Sequence, residues 1–284
     1  MNKISVFAKA PFEVRHLMRV SSIIRGEQLC AYMQNARLNP PDGYEDDICV
    51  YVKPMIRPDQ DYKFEKHSWI DIHDGFELRH TLRKYPDVGC ISISDHADYV
   101  IKQYIKNKTV IIPHHHCNFE RATRNELNGI LNVGITGSPQ AFDAIPEEIK
   151  KGLADRGINL ITWSNFYPRT SVAKFHSKID IHLQWRPWRK QLSSPLKIVN
   201  ASSFGVPTIA LTSMESIADL EPSFEEVNGC YIGVGNPEEW LEQLDSLGST
   251  SGTTSKYKEM AEICLEKAEK YHIDNIAPKY NDLL

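Results

Sequence analysis

Short apolar runs alternate along the chain with longer segments in which apolar residues recur every three or four positions. The runs predict buried strands, because parallel strands covered on both faces are apolar along their whole length. The longer segments predict helices at residues 21–36, with Ser21 or Ser22 as the N-cap, and at residues 95–106. The predicted strands of this first half are residues 4–8, 47–52, 69–72, 89–93 and 110–112.

The same alternation begins again after a polar stretch at residues 118–128. Strands that alternate with helices form a parallel sheet with helices on both faces. The pattern therefore predicts an α/β chain with two facing, doubly wound Rossmann-like domains, residues 1–122 and 123–284, and a ligand cleft at the carboxyl ends of their strands. The predicted elements of the second half are strands at 131–135, 158–163, 179–183 and 207–211 and helices at 146–156, 171–177 and 195–204.

The last part of the chain has the spacing of one amphipathic helix. Apolar residues at three- and four-residue intervals cover residues 255–272, which predicts a helix that needs a surface to cover. The small and polar residues before it, 248–254, predict a flexible loop.

Size and charge narrow the class of protein. A chain of 284 residues has room for two domains at roughly 150 residues each. Its formal net charge of −4 argues against nucleic acid as the partner, since such proteins usually carry a basic surplus. No apolar run approaches the ~18–20 residues that a membrane-spanning helix needs, so we expect no transmembrane segment.

The N-terminal residues and the cysteines suggest where the protein works. The first residues, MNKISVFAKAPFEVRH, predict a strand and not a signal peptide. The six cysteines lie far apart with no C-x-x-C pair, which argues against a zinc site and a disulfide framework. We expect reduced thiols and a cytoplasmic protein, with a peripheral position at a membrane as an alternative. The sequence leaves the oligomeric state open.

Residues 193–210 carry the most informative pattern in the sequence. They predict a loop, the start of a helix, a glycine stop at Gly205 and a buried strand. A helix start offers unpaired N–H groups to a phosphate, and Lys197 could add a cation there. Asn200, one turn later, could bind a sugar or ribose hydroxyl. An ordinary helix–turn–strand unit with a solvated lysine explains the same pattern.

Residues 195–210 read PLKIVNASSFGVPTIA, which resembles the donor-binding signature of glycosyltransferases of the GT-B fold, P-x-K-x-x-E-A-x-x-x-G-x-P-x-I-A, and in particular the GT4-like group. The resemblance covers most of the chain and is strongest over residues 130–215. Other matching segments are NVGITGS at 132–138, FYPRTSVAKFHSKID at 166–180 and KTVIIPH at 108–114.

The resemblance implies a hexosyltransferase-type enzyme with two facing domains and a C-terminal helix that crosses back onto the N-terminal domain. Its partners would be a nucleotide-diphosphate sugar as donor and a glycan or lipid-linked glycan as acceptor. Members of this fold generally use helix dipoles and basic side chains, so we expect neither a metal nor another cofactor. The implied donor-binding residues are Gly137, Ser138, Trp163, Tyr167, Arg186, Ser194, Pro195, Leu196, Lys197 and Asn200. Trp163 and Tyr167 could equally be core residues, and Arg186 could belong to a solvated basic loop.

One departure from the family pattern leaves the chemistry open. Retaining members usually carry two glutamates eight residues apart, where this chain has Leu192 and Asn200. Asparagine cannot act as a carboxylate, so the sequence does not decide between retention and inversion. A catalytically inactive protein that binds a nucleotide sugar or glycan is the main alternative. A sugar-nucleotide epimerase is a second alternative. An enzyme that transfers a sugar onto modified DNA bases is a third, which the negative net charge of the chain disfavours.

An inverting enzyme would need a general base in the N-terminal domain. Asp71, His73 and Asp74 follow a predicted strand and are the candidate catalytic residues, although a turn at Asp74-Gly75 capped by His73 is the plainer explanation. His114, Arg15 and His16 are candidates for acceptor or phosphate contact, as is Arg25 on the first helix. Consecutive histidines at 114–116 point to alternate sides of an extended chain, which argues against a metal site.

Overall fold

The chain folds into two compact units. The structure, a computed structural model, describes residues 2–8, 20–56, 60–124, 127–189, 191–214 and 220–284. The first unit comprises Met1–His115, Gln191–Ser194 and Ile273–Leu284, and the second comprises His116–Lys190 and Pro195–His272. The chain thus passes from the first unit to the second at 115/116, whereas the sequence placed the boundary at 122/123.

The first unit contains a six-stranded parallel sheet with the strand order β2-β1-β3-β4-β5-β6. Strands β3, β4 and β5 are buried along their whole length, as strands between two helical layers must be. The strands are β1 (Ile4–Phe7), β2 (Ala36–Leu38), β3 (Ile48–Val52), β4 (Ser68–Asp71), β5 (Gly89–Ser92) and β6 (Thr109–Ile111).

The helices of the first unit begin where local chemistry favours them. Ser94 is extended and its hydroxyl accepts a hydrogen bond of 3.0 Å from the amide of Ala97, which caps α4. Ser22 makes no such cap; its hydroxyl donates to the carbonyl of Ala8 at 2.6 Å, and a π-helical stretch, Ile23–Gln28, follows it. The α-helices are α1 (Val20–Ser22), α2 (Leu29–Tyr32), α3 (Arg79–Lys84), α4 (Asp95–Lys102) and α11 (Ile273–Ile276), with 3₁₀ turns at Phe76–Leu78 and Ala277–Asp282.

The second unit contains a five-stranded parallel sheet with the order β11-β10-β9-β7-β8. Its strands are β7 (Asn132–Thr136), β8 (Asn159–Trp163), β9 (Ile181–Gln184), β10 (Thr208–Leu211) and β11 (Tyr231–Val234), with a small hairpin of β12 (Gly248–Ser249) and β13 (Gly252–Thr253). Its helices are α5 (Pro139–Asp143), α6 (Glu147–Asp155), α7 (Arg169–His176), α8 (Leu196–Ser202), α9 (Pro237–Leu247) and α10 (Ser255–Glu269), with a 3₁₀ turn at Pro222–Val227.

The predicted doubly wound α/β architecture is confirmed, but several elements were missed. The sequence analysis did not include β2, β11, α3 or α9, and it extended the first helix to residue 36, where β2 begins. The segment 248–254, predicted to be a flexible loop, contains the β12–β13 hairpin.

The crossing of the C-terminal part of the chain to the first unit is confirmed for residues 273–284 and not for the amphipathic helix before them. Helix α10 belongs to the second unit, where its buried face includes Tyr257, Met260 and Cys264. The segment Ile273–Leu284 belongs to the first unit. There the indole of Trp69, in β4, donates a hydrogen bond of 2.7 Å to the carbonyl of Leu283.

Two observations bear on the environment of the protein. All six cysteines are free thiols, and five of them are buried. Within the described ranges, no helix is long and apolar enough to cross a membrane.

Gly89 fixes the spacing between β4 and β5. A Cβ atom at this position would lie 2.3 Å from a ring carbon of Trp69, closer than real Cβ contacts allow. The indole of Trp69 has little freedom to move, because its nitrogen donates a hydrogen bond to the carbonyl of Leu283. Only glycine fits at the start of β5 without displacing the indole.

We therefore expect Gly89→Ala to lower the free energy of unfolding by about 1–3 kcal/mol, the usual effect of overpacking a core. Urea denaturation followed by circular dichroism measures the change. Gly252→Ala is the control, since no atom lies within 4 Å of its added Cβ, and a change within about 0.5 kcal/mol is expected there. Equal losses in both variants would contradict the close-packing explanation.

Candidate functional site

Three of the predicted catalytic residues lie together at the carboxyl ends of β3 and β4 in the first unit. Asp71 is the last residue of β4, and His73 and Asp74 follow it. Lys53 directly follows β3, the neighbouring strand. Parallel strands bring their carboxyl ends to the same edge of a sheet, which is why residues twenty positions apart in sequence meet here.

Asp71 is fully buried and is the centre of a hydrogen-bond network. Its Oδ2 lies 3.0 Å from Nε of Arg25, which is 1% exposed, so the two charges form a buried ion pair. Its Oδ1 accepts a hydrogen bond of 3.2 Å from the backbone N–H of His73. Its backbone carbonyl accepts one of 2.9 Å from the backbone N–H of Lys53. A carboxylate held in this way supports the site and does not suit the role of general base that the sequence suggested for it.

Hydrogen bonds from its two terminal nitrogens anchor Arg25. Its guanidinium donates to the carbonyl of Pro113 at 3.0 Å, to the hydroxyl of Tyr280 at 2.7 Å and to the carbonyl of Ile112. The sequence offered Arg25 as a phosphate contact. Its complete burial in the first unit contradicts that role, because the guanidinium has no surface left to offer a ligand.

His73 and Asp74 form the imidazole–carboxylate pair that the sequence suggested. Nδ1 of His73 lies 3.1 Å from Oδ1 of Asp74, and the two side chains are 17% and 29% exposed. The hydrogen bond with His73, with a further contribution from Lys53, holds the pKa of the Asp74 carboxyl well below its usual range, against the effect of burial. Nε2 of His73 has no hydrogen-bond partner among the described residues. The pair can therefore hold Nδ1 protonated and leave Nε2 as a base.

His114 and Ser194 complete this cluster in the first unit. The ring centroids of His73 and His114 are 4.3 Å apart, and Nδ1 of His114 lies 3.1 Å from the hydroxyl oxygen of Ser194. His114 is 2% exposed, and burial holds its pKa well below the ordinary value, so the ring is neutral. A neutral imidazole can exchange hydrogen bonds with a sugar hydroxyl but adds no positive charge for a phosphate.

Lys53 is a member of the cluster that the sequence analysis missed. Its Nζ lies 2.5 Å from Oδ1 of Asp74, and its side chain is 20% exposed. Its backbone has a φ of +45°, in the left-handed region. The available signal was its position directly after a buried strand, at the same sheet edge as Asp71.

The second unit brings Gly137 and Lys197 together at the carboxyl end of β7. A Cβ atom on Gly137 would lie 3.3 Å from Nζ of Lys197 and 2.9 Å from Cβ of Ala141. The amide of Gly137 donates to the carbonyl of Trp163 at 3.0 Å, which fixes the turn after the strand. The ammonium of Lys197 thus lies beside the backbone of a buried glycine at the end of the strand, where its positive charge suits an anion.

Residues next to this turn have the positions that the sequence predicted. Ser138 is exposed and precedes α5, and its side chain makes no capping hydrogen bond. Pro195 precedes α8, and Leu196 is the first residue of that helix. Ser194, by contrast, belongs to the first unit, where it contacts His114.

Other predicted donor-binding residues are engaged within the second unit. Oδ1 of Asn200 accepts the backbone N–H of Cys117 at 2.8 Å, so its oxygen serves the fold and not a ribose. Arg186 pairs with the buried carboxylate of Glu221, which offsets its charge. Trp163 stacks on Phe175 with a centroid distance of 5.9 Å, as a core residue would.

The remaining predicted positions lie in different parts of the chain. Tyr167 is 50% exposed, and the bond before Pro168 is cis. Arg15 and His16, the candidates for acceptor or phosphate contact, lie outside the described residues. Leu192 is 1% exposed in the core of the first unit, so it contributes packing where the retaining family has a glutamate. In the part of the chain that the structure describes, no three His, Cys, Asp or Glu residues are grouped so as to hold a metal ion.

Comparison with known proteins identifies the fold. No protein-family model matches the chain, and no curated protein matches it. Among solved structures, the crystal structure of TarM is similar, with a TM-score of 0.58 at 11% sequence identity. The match covers 84% of this chain and 55% of TarM, so the chain spans just over half of that protein's length. The two parallel sheets with their helices have the GT-B fold, as the sequence resemblance implied.

The burial of Asp71 and Arg25 leads to a prediction about stability. Asp71→Asn leaves a buried guanidinium without its counter-charge, so we expect the free energy of unfolding to fall by about 3–5 kcal/mol. Asp61→Asn is the control, because Asp61 pairs with Lys84 at the surface, and stability should not change there. Chemical denaturation measures both. A loss of less than about 1 kcal/mol in Asp71→Asn would contradict the supporting role of this pair.

Proposed function

We propose that this chain is a glycosyltransferase that moves a sugar from a nucleotide-diphosphate donor to a hydroxyl group of a glycan or lipid-linked glycan. The observation that carries the proposal is the ammonium of Lys197 beside Gly137, at the turn after the first strand of the second unit of a GT-B fold. In doubly wound sheets, ligands bind outside the carboxyl ends of the strands. A diphosphate fits the positive charge of Lys197 at this turn.

The donor-binding part of the proposal rests on charge. A leaving diphosphate gains negative charge as its bond to the sugar breaks, and a fixed cation stabilises that charge. Arg186 is offset by Glu221, so this role falls to Lys197. Transfer without a metal ion follows as part of the proposal, and we propose no other cofactor. We retain as donor contacts Ser138, Tyr167, Pro195 and Leu196.

The catalytic part of the proposal rests on His73. In a single displacement, Nε2 of His73 takes the proton of the acceptor hydroxyl, the acceptor oxygen bonds to the anomeric carbon, and the diphosphate leaves with the electron pair of its bond. Asp74 holds the imidazole through Nδ1. Because Leu192 is buried and the oxygen of Asn200 is engaged, neither position offers a nucleophile for a double displacement. We therefore propose inversion.

The acceptor and the location are the coarsest parts of the proposal. His114 is 2% exposed, so we assign the contact with the acceptor hydroxyl to His73 and not to His114. We propose polysaccharide biosynthesis as the process and the cytoplasm as the place, in line with six free thiols.

Donor binding is tested with Lys197→Met. The variant removes a charge-assisted contact of ~1.5–3 kcal/mol, so we expect about 10- to 100-fold weaker binding of the nucleotide sugar. A thermal-shift screen of UDP, GDP, ADP, CMP and TDP sugars selects the donor, and calorimetry in EDTA measures its affinity. Lys151→Met is the control, since that lysine lies on α6 and pairs with Asp155. Equal affinities in the two variants would remove Lys197 from the site.

Catalysis is tested with His73→Gln. Loss of a general base lowers kcat by roughly 10²- to 10⁴-fold, while the affinity for the donor should stay within about twofold. His80→Gln, an exposed histidine on α3, is the control and should retain full turnover. If the wild-type protein binds a donor but neither transfers nor hydrolyses it with any acceptor, the chain is a binding protein and the proposal fails.

A further inference from the structure

Two residues beside the proposed base have an unusual backbone conformation. Lys53 has a φ of +45° and His73 a φ of +50°, which residues other than glycine rarely adopt. Both backbones are tied to Asp71: the amide of Lys53 donates to its carbonyl, and the amide of His73 donates to its Oδ1. Such conformations persist where the surroundings enforce them, and they concentrate at functional sites.

The side chains of these two residues meet at one atom. Nζ of Lys53 lies 2.5 Å and Nδ1 of His73 lies 3.1 Å from the same oxygen, Oδ1 of Asp74. The left-handed turn after β3 directs the lysine toward the loop after β4, where Asp74 lies. The ammonium is thus a fixed neighbour of the His73–Asp74 pair.

We propose that Lys53 is a positioning residue of the glycosyltransferase reaction: its ammonium holds Asp74 in place and offsets part of its charge, and Asp74 in turn orients the imidazole of His73 for its role as the base. This inference rests on the proposed function. Lys53 itself touches no reacting atom.

The electrostatic argument depends on all charges near the imidazole. Asp71 pairs with Arg25, whereas Asp74 lies between the imidazole of His73 and the ammonium of Lys53. In general a carboxylate beside an imidazole favours its charged form, and a nearby ammonium opposes that effect. Without Lys53, the uncompensated carboxylate would favour the imidazolium, which cannot act as a base. The charged and titratable groups around the ring are Asp74, Lys53, Asp71, Arg25, His114 and His115.

A contribution to stability does not account for Lys53. An ion pair with both partners partly exposed contributes little to folding, and a left-handed lysine is unfavourable. A residue kept for stability would be an asparagine or glycine at this backbone position. The conformation is therefore better explained by the placement of the ammonium.

The test compares pH profiles of kcat in the full chain. We expect Lys53→Met to move the acid limb of the profile upward by about one pH unit and to lower kcat several-fold near neutral pH, with KM for the donor unchanged. Lys53→Arg keeps the cation and should retain most of the wild-type profile. Lys102→Met, which breaks the Lys102–Asp98 pair on α4, is the matched control and should change neither quantity.

Two further measurements separate positioning from a structural effect. The carboxyl carbon resonance of Asp74 should titrate at higher pH in Lys53→Met than in wild type, because Lys53 helps to lower its pKa. Lys53→Asn, which suits the left-handed backbone, should unfold at a temperature equal to or above that of wild type while showing the same shift in the profile.

The outcomes are distinct. An unchanged acid limb in Lys53→Met, or a drop in unfolding temperature in Lys53→Asn far beyond that of Lys102→Met, overturns the role of Lys53 and leaves the proposed function standing. A wild-type protein without turnover overturns both.

Discussion

The ion pair of Arg25 and Asp71 is the constraint on which the first unit depends. Two charges with almost no solvent contact need further hydrogen bonds to offset their desolvation, which costs several kcal/mol per ion. Arg25 meets this demand by bonding to the carbonyls after β6 and to Tyr280 of the C-terminal segment. A central strand, the first helical segment and the chain terminus are thereby joined at one point. The end of β4, where the candidate site begins, has a fixed position as a result.

The sequence was sufficient for the architecture where burial is complete and insufficient at the edges. Strand β3 is buried at all five positions, and its unbroken apolar run identified it. The edge strand β2 has only three residues, one of them an arginine and none buried, so it carries no such signal. Helix α9 did have one, since Asn236, Pro237 and Glu239 form a capping pattern that the structure uses. The sequence therefore contained a signal for α9.

The sequence was likewise sufficient for some residues of the candidate site and insufficient for others. Neighbours in sequence, such as His73 and Asp74, and motif residues, such as Gly137 and Lys197, could be selected from the printed chain. Pairs made by the fold could not, because nothing local connects Arg25 with Asp71 or Arg186 with Glu221. These pairs decide which charges remain for chemistry. Arg186 is paired with Glu221 and Asp71 with Arg25, so the sequence positions of these charges did not reveal how the fold engages them.

The two histidines of the cluster differ in their surroundings. Burial holds the pKa of His114 well below its ordinary value, so the ring stays neutral, and its Nδ1 lies beside a serine hydroxyl. His73 lies at the edge of the same cluster, with a carboxylate on one nitrogen and no described partner on the other. Lys53 contacts the same oxygen of Asp74 as His73 does, so it helps to fix the carboxylate that holds the imidazole. The lysine, the aspartate and the strained turns that hold them thus form one electrostatic unit, whose rigidity derives from Asp71.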